Sequence, residues 1–143
     1  GTYVALNADQ KTRDSLAKWV KENNIPNPAD PKQYHSTVIY SRKGIPSVTN
    51  YKFTFPIEGT IKEWKIFPSG ESNKCLVAII DCDELHNLHT KIREKYGATH
   101  DFPDYHPHIT LSYDYGNNKV PPSLPDVPIS YGSRTIEPLD DGK

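Results

Sequence analysis

Two histidines in this sequence are each followed, two residues on, by a threonine. The triplets are His35-Ser36-Thr37 and His108-Ile109-Thr110, and their histidines lie 73 positions apart. Residues i and i+2 of a β-strand point to the same face of a sheet, so a triplet on a strand presents one imidazole and one hydroxyl together. The spacing therefore predicts one site built from two imidazoles and two hydroxyls.

A pair of histidines suits the cleavage of a phosphodiester. The reaction needs a base that takes a proton from the attacking oxygen and an acid that protonates the leaving oxygen, and the near-neutral pKa of histidine allows both roles. Threonine hydroxyls can donate hydrogen bonds to the non-bridging phosphate oxygens, where negative charge grows during the reaction. We expect His35, Thr37, His108 and Thr110 to be the catalytic residues, with no metal and no cofactor.

A metal site is the alternative interpretation of the second triplet. His100, Asp104, His106 and His108 are close enough in sequence to suggest metal ligands, which would make the protein a metallohydrolase. Pro107 would disturb strand geometry between the last two histidines, and such a site would leave the first triplet without a purpose. We therefore favour the phosphodiesterase without a metal.

Strand-forming runs surround both triplets. The runs 34–41 and 108–113 are rich in β-branched and aromatic residues, and each contains one triplet. A hairpin is predicted from two alternating runs with a turn at Glu58-Gly59-Thr60. The other predicted strands, those of the hairpin included, are Thr2 to Leu6, Tyr51 to Ile57, Ile61 to Phe67, Leu76 to Ile80 and Ile129 to Ile136. The tail from Leu139 to Lys143 is polar and expected to be loose.

Two helices are predicted between these strands. The first runs from Asp9 to about Asn23, where apolar residues, Trp19 among them, recur at helical spacing. The second follows Asp81 or Asp83 and ends before Gly97. Its apolar stripe consists of Leu85, Leu88, Ile92 and Tyr96. Each helix is expected to pack one face on a sheet.

The order of elements repeats along the chain. Each half contains a strand, a helix, a loop and a strand with a triplet, and at the offset of 73 Val4-Ala5-Leu6 falls on Val77-Ala78-Ile79. At the same offset Tyr3 falls on Leu76, so an aromatic residue in one half corresponds to an aliphatic one in the other. A chain of 143 residues has the size of one domain, so we expect a single domain, 1–143, made of two related lobes.

Composition narrows the possible partners. A net charge of −1 provides no basic field for a long nucleic acid, so a small anionic ligand fits better. No apolar run approaches the ~20 residues of a membrane helix, and we expect no membrane partner. Cys75 and Cys82 bracket a predicted strand about 23 Å long, too far apart for a disulfide. We expect a soluble, intracellular protein that acts as a monomer.

Three further residues are candidates to contact the bases of a nucleotide. Tyr3 and Trp64 either stack on bases, which needs no particular base identity, or pack in the core. Glu137 follows the last predicted strand and either accepts hydrogen bonds from a purine edge or faces solvent. Tyr40 and Tyr113 lie three positions after the threonines, so strand parity predicts that they pack in the core.

The two triplets resemble the motif of the two-histidine phosphoesterase superfamily, in which His-x-Thr/Ser-hydrophobic occurs once in each of two pseudo-symmetric lobes. The resemblance covers nearly the whole chain. It implies a bilobal α+β fold with a pseudo-two-fold axis, antiparallel sheets flanking a central cleft and one main helix per lobe. It also implies catalysis by His35 and His108, with Thr37 and Thr110 holding the phosphate.

Within that superfamily, the chain is similar to the anti-CBASS phosphodiesterases of T-even bacteriophages in the stretches YVALNAD, YHSTVIYS and YHPHITLSY. This similarity implies cleavage of 3′–5′ bonds in cyclic di- and trinucleotide messengers such as cyclic GMP–AMP, in the cytoplasm of the host bacterium. Bacteria use these messengers to trigger antiphage defence. The alternatives are a phosphodiesterase of RNA ends or 2′,3′-cyclic phosphates, and a sponge that binds a cyclic nucleotide without cleaving it.

Overall fold

The computed structural model describes residues 1–69, 73–101 and 104–139. The strands in these ranges are β1 (Thr2–Ala8), β2 (His35–Ser41), β3 (Ile57–Ser69), β4 (Asn73–Asp81), β5 (His108–Ser112) and β6 (Ile129–Pro138). The α-helices are α1 (Gln10–Glu22) and α2 (Asp83–Tyr96). Neither helix is long and apolar enough to cross a membrane. Most of the tail that was predicted to be loose, 140–143, lies outside the described residues.

The six strands form one antiparallel sheet in the order β2-β1-β6-β3-β4-β5. The first three strands mirror the last three, since β2-β1-β6 corresponds to β5-β4-β3. The two halves join where Ile57–Gly59 of β3 pairs with Ile129–Tyr131 of β6. This arrangement confirms the α+β prediction and places the triplets on the two edge strands, β2 and β5.

The two helices cover one face of the sheet, which we call the helix face. α1 begins after Asp9, whose carboxylate accepts a hydrogen bond from the Thr12 amide at 2.9 Å, and α2 ends at Gly97 with φ +70°, where glycine avoids strain. The core lies between helices and sheet. Its buried members include Leu6, Leu16, Val20, Ile39, Ala78, Ile80, Leu85, Ile92 and Ile109. The opposite face carries both histidines and both threonines, and we call it the motif face.

Each edge strand contains a β-bulge at the same point. The pairing of β1 with β2 moves from Val4–Ile39 to Ala5–Thr37, which leaves Val38 as the extra residue. The pairing of β4 with β5 shifts in the same way, and there Leu111 is the extra residue. A bulge sets two residues of one strand against one of its partner, so the alternation of faces is reversed beyond it.

The bulges overturn the prediction that Tyr40 and Tyr113 pack in the core. Ile39 and Ser112, next to the extra residues, are buried on the helix face, so the following tyrosines point to the motif face. Tyr40 is 46% exposed and Tyr113 is 44% exposed. Simple parity gave the wrong face because it assumed an unbroken alternation.

The first strands of the two lobes correspond at an offset of 72 rather than 73. Ala5 faces Thr37 and Val77 faces Thr110, so Ala5 and Val77 are equivalent. The second lobe therefore has one additional residue between its first strand and its triplet. The counterpart of Tyr3 is Cys75, which corrects the predicted match with Leu76.

The predicted hairpin of two short strands is wrong. Residues 51–56 form no strand, and the hairpin is instead β3 with β4. The alternating aromatics that suggested a strand are half-buried, pack against the helix-face core and contact one another, Tyr51 with Phe53 at 5.0 Å and Phe53 with Phe55 at 6.2 Å. Gly59 lies inside β3, where a Cβ would stand 2.7 Å from the Asp81 carbonyl oxygen. Glycine is needed there because β3 changes its pairing partner from β6 to β4 at this point, and the backbone of β4 lies too close for a side chain.

Candidate active site

The two histidines are held by the same backbone contact. Nδ1 of His35 lies 2.6 Å from the carbonyl oxygen of Gln33, and Nδ1 of His108 lies 2.9 Å from that of His106. A carbonyl oxygen only accepts hydrogen bonds, so Nδ1 carries the proton in each neutral ring. Nε2 is left as the nitrogen that takes up or releases a proton.

The surroundings of His35 are polar. Asn7 faces His35 across the β1–β2 ladder and donates from its amide to the hydroxyls of Ser133, at 3.2 Å, and Thr135, at 3.0 Å. The ring of Tyr3 lies edge-on to the imidazole, with 6.4 Å between centroids. The first lobe therefore offers hydroxyl and amide groups beside its histidine.

Tyr3 joins this polar group to the first triplet. Its hydroxyl lies 3.1 Å from Oγ1 of Thr37, and it pairs with Glu137 across the β1–β6 ladder. Burial raises the pKa of the Tyr3 hydroxyl, against the effect of the bond to Thr37, and the neighbouring Tyr113 and Glu137 add to the rise. Of the predicted base-contacting residues, Tyr3 and Glu137 thus lie together on the motif face.

The surroundings of His108 are apolar. Phe67 lies edge-on to the imidazole, with 4.9 Å between ring centroids, and packs in a cluster with Cys75, Val77 and Ile79. Burial lowers the pKa of His108, against the hydrogen bond to His106, and the nearby His35 lowers it further. The second lobe therefore favours the neutral form of its histidine.

Phe67 is a site residue that the sequence analysis missed. It pairs with Cys75 on β4 as Glu137 pairs with Tyr3 on β1, so Phe67 and Glu137 occupy equivalent places in the two lobes. The pattern of β3 gave no signal for this, because the face of Phe67 depends on the register between β3 and β4. Only the pairing of the strands identifies it.

The structure does not bring Trp64 to the motif face. Trp64 pairs with Ala78 of the helix-face core and lies 5.5 Å from the ring of Trp19. Its indole Nε1 donates to the carbonyl oxygen of Ser123 at 3.1 Å. A base bound at the histidines would lie on the other side of the sheet, so Trp64 is left out of the candidate site.

Hydroxyl groups join the first triplet directly to the second lobe. Oγ of Ser36 donates to the carbonyl oxygen of His108 at 2.8 Å, and the hydroxyl of the fully buried Tyr131 bonds to the same Oγ. Because Ser36 has only one proton to give, Tyr131 is the donor in the second bond. The two motif strands are thus fixed to each other beside both histidines.

The bulge in β2 is also held from the second lobe. The hydroxyl of Tyr105 donates to the carbonyl oxygen of Thr37 at 2.7 Å, and Nδ1 of His89 donates to that of Val38 at 2.7 Å. The rings of His89 and Tyr105 stack in parallel, 4.1 Å apart. These donors satisfy carbonyls on the outer flank of β2, which is an edge strand of the sheet.

The residues of the metal alternative have other contacts. Nε2 of His100 lies 3.2 Å from the backbone oxygen of Asp104, and the His100 ring lies 4.5 Å from that of His89. His106 contributes its carbonyl to His108. Among the described residues, no three His, Cys, Asp or Glu side chains are placed so that together they could hold a metal ion.

The sequence is similar to a known protein family along its whole length. A family model described as anti-CBASS protein Acb1 matches residues 1–143. A protein of that name from Vibrio phage KVP40 is 35% identical over 140 residues, covering 98% of this chain and 88% of the phage protein. Its namesake from Enterobacteria phage T4 is 38% identical over 117 residues, covering 81% and 74%.

Solved structures with a similar fold include Escherichia coli LigT. LigT complexed with NADP+ superposes with a TM-score of 0.65 at 15% identity, covering 94% of this chain and 85% of LigT. LigT complexed with 3′-AMP gives a TM-score of 0.63 at 14% identity, with the same two coverages. At this level of identity the likeness concerns the fold.

Proposed function

Because the chain belongs to the family of the anti-CBASS protein Acb1, we propose that it is a phosphodiesterase that cleaves the 3′–5′ bonds of cyclic di- and trinucleotide messengers. The main support for this proposal is that two His-Thr sets lie on one face of the sheet, with each histidine fixed through Nδ1 to a backbone carbonyl. Such a pair supplies an acid and a base to one phosphate.

In this proposal His108 is the base and His35 is the acid. The apolar contact with Phe67 favours a neutral His108, which can take the proton of the attacking oxygen on Nε2. His35, as the acid, gives its Nε2 proton to the leaving 5′ oxygen. The hydroxyls of Thr37 and Thr110 donate to the non-bridging oxygens, which become more negative as the new bond forms.

Two nucleophiles satisfy this scheme. If the ribose 2′-OH attacks, the O2′–P bond forms as the P–O5′ bond breaks, and the product is linear with a 2′,3′-cyclic phosphate. If water attacks, the product is linear with a 3′-phosphate. In both cases the proton gained by His108 and the proton lost by His35 balance, and solvent restores the starting forms.

Tyr3 and Glu137 are proposed to contact a base in the first lobe. Their pairing places a ring and a carboxylate side by side, and a carboxylate can accept hydrogen bonds from an amino group on a base edge. Phe67 offers an apolar surface at the equivalent place in the second lobe. A single chain provides both lobes, so we propose that a monomer is sufficient for activity.

The relatives from phages support a role inside the infected bacterium. A cyclic nucleotide that activates a bacterial defence is made in the host cytoplasm, and its linear product no longer has the shape that an effector would recognise. We therefore propose that the protein acts in the host cytoplasm and blocks CBASS by removing its messenger.

The test is incubation with cyclic GMP–AMP, with separation of linear products by chromatography. We expect His35→Ala and His108→Ala each to lower kcat by about 10²- to 10⁴-fold. His86→Ala, which changes an exposed histidine of α2, should cleave like the wild type. Nucleotide that is bound but recovered intact would mean a sponge.

Two further arms separate the remaining alternatives. Cleavage of a linear RNA ending in a 2′,3′-cyclic phosphate, with cyclic GMP–AMP left intact, would identify an enzyme of RNA ends. Activity that is lost with EDTA and returns with zinc would identify a metallohydrolase. A cyclic dinucleotide without the 2′-OH beside the scissile phosphate decides the nucleophile, because its cleavage requires water.

A further inference from the structure

Two large aromatic side chains stand exposed at equivalent positions of the two lobes. Tyr40 follows the bulge in β2 and Tyr113 follows the bulge in β5, with nearly half of each side chain accessible. In the part of the chain that the structure describes, the other large apolar side chains exposed to this degree are Val120 and Leu124, which precede β6. Packing in the core does not explain the two tyrosines.

The bulges account for where the tyrosines point. If Val38 took part in a regular alternation instead of being the extra residue of a bulge, Tyr40 would point to the helix face. The same holds for Leu111 and Tyr113. A bulge interrupts the ladder of hydrogen bonds and re-aims the side chains beyond it. Both lobes keep this interruption, and in both its result is a tyrosine on the motif face.

Each tyrosine has contacts that lead to the catalytic groups. The ring of Tyr40 lies edge-on to that of Tyr3, at 6.3 Å, and Tyr3 bonds to Thr37. The carbonyl oxygen of Tyr113 lies 3.9 Å from the thiol sulfur of Cys75, which packs with Phe67 beside His108. Thus Tyr40 lies near the first histidine-threonine set, and Tyr113 lies near the second and also neighbours Tyr3.

We propose that Tyr40 and Tyr113 are two stacking platforms, one in each lobe, for the two bases of a cyclic dinucleotide whose scissile phosphate lies at His35 and His108. The inference rests on the proposed function and deepens it. A cyclic dinucleotide carries its bases on opposite sides of the ring that holds the phosphates. A protein with a pseudo-two-fold axis presents one platform to each base.

Two bases that flank the scissile phosphate would account for an exposed ring in each lobe. An exposed aromatic surface is unfavourable in water, and a bound base covers it. Every base has an aromatic face, so stacking depends little on base identity. The platforms fix the distance between the bases, whereas polar groups such as Glu137 read a base edge.

The test compares Tyr40→Ala and Tyr113→Ala with the wild type, using cyclic GMP–AMP and an analogue of it that lacks both bases. Loss of one stacked base is expected to raise Kd and KM about tenfold in each variant, with kcat unchanged. Tyr40→Trp and Tyr113→Trp should keep tight binding. The control is Leu124→Ala, which changes an exposed apolar residue in the loop before β6 and should bind like the wild type.

The analogue without bases separates stacking from misfolding. All variants should bind it as weakly as the wild type does, because the platforms then have nothing to hold. Unchanged Kd for cyclic GMP–AMP in either alanine variant overturns the paired platforms, as does a fall in kcat at constant KM. If the wild type neither binds nor cleaves any cyclic dinucleotide, the proposed function fails together with this inference.

Discussion

His35 and His108 share a backbone anchor, but single side chains beside them set different chemistry. Glu137 and Phe67 occupy equivalent places, so a carboxylate lies near one triplet and an aromatic ring lies against the histidine of the other. An apolar neighbour removes water from an imidazolium and disfavours the charged form. The two histidines therefore have the same backbone anchor but different neighbours, and the apolar neighbour of His108 fits the role of base proposed for it.

Removal of the Phe67 ring should shift the pH dependence of the reaction. Phe67→Ala lets water reach His108, so its pKa rises toward the ordinary value of about 6.5. Because a base acts in its neutral form, the acidic limb of the profile of kcat/KM against pH moves to higher pH. Initial rates on cyclic GMP–AMP from about pH 5 to 9 measure this.

Phe67→Leu is the matched control for that shift, since it keeps an apolar cover and should move the limb less. A move of the alkaline limb instead would exchange the roles of the two histidines. A profile that stays in place in both variants would contradict the effect of Phe67 on His108.

At the scale of elements, local patterns predicted the two helices and the strands that carry the triplets. β2 was expected from Tyr34 and begins at His35, and the start and end of α1 agree with its capping residues. These features depend on periodicity within one segment. The bulges were not predicted, because a bulge is defined by the pairing of two residues of one strand with one residue of another. The sequence of β2 alone therefore does not determine which face Tyr40 points to.

The same reason explains the errors in β3. The alternation of residues 51–57 suggested a strand, although these aromatics pack on one another without a partner strand. With the hairpin misplaced, the side of the sheet occupied by Trp64 and by Phe67 could not be derived. Tyr3 and Glu137 were found separately, and only the pairing of β1 with β6 shows that they are neighbours.

The bond between the motif strands predicts a coupling that a stability measurement can detect. Ser36→Ala removes the donor to the His108 carbonyl and leaves the Tyr131 hydroxyl buried without its partner. We expect this to lower the free energy of unfolding by about 1–3 kcal/mol, the cost of a buried polar group left without a hydrogen bond. Urea unfolding of the purified protein measures it.

Tyr131→Phe and the double variant complete the cycle. Tyr131→Phe alone keeps the bond from Ser36 to His108 and should cost less than Ser36→Ala. In the double variant no tyrosine hydroxyl is left unpaired, so its loss should be smaller than the two single losses together. Additive losses would mean that the two hydroxyls stabilise the protein independently.

At the scale of the whole molecule, stability should depend on pH through two histidines, the buried His89 and the half-buried His108. Burial lowers the pKa of His89 and of His108 in the folded state. Below the ordinary histidine pKa of about 6.5 the unfolded chain therefore binds more protons than the folded protein, and stability falls as pH falls. The urea midpoint should be highest above about pH 7 and decrease toward pH 5.

His89→Gln tests this dependence, because glutamine retains an amide donor for the Val38 carbonyl and does not titrate. Its unfolding midpoint should change less between the two pH values than that of the wild type. His86→Gln, at an exposed position of the same helix, should change the dependence much less, because His86 makes only a minor contribution to the lowered pKa of His89. An equal pH dependence in all three proteins would contradict the role of His89.

The order of strands also has a consequence for how the protein is synthesised. β3, β4 and β5 are neighbours in both sequence and sheet, so they can pair as soon as they leave the ribosome. β1 is made first, but its inner flank remains empty until β6 emerges, since Thr2 pairs with Pro138. The lobe of β3, β4 and β5 is thus the first to be completed, and the lobe that carries the first triplet lacks one of its three strands until β6 has been made.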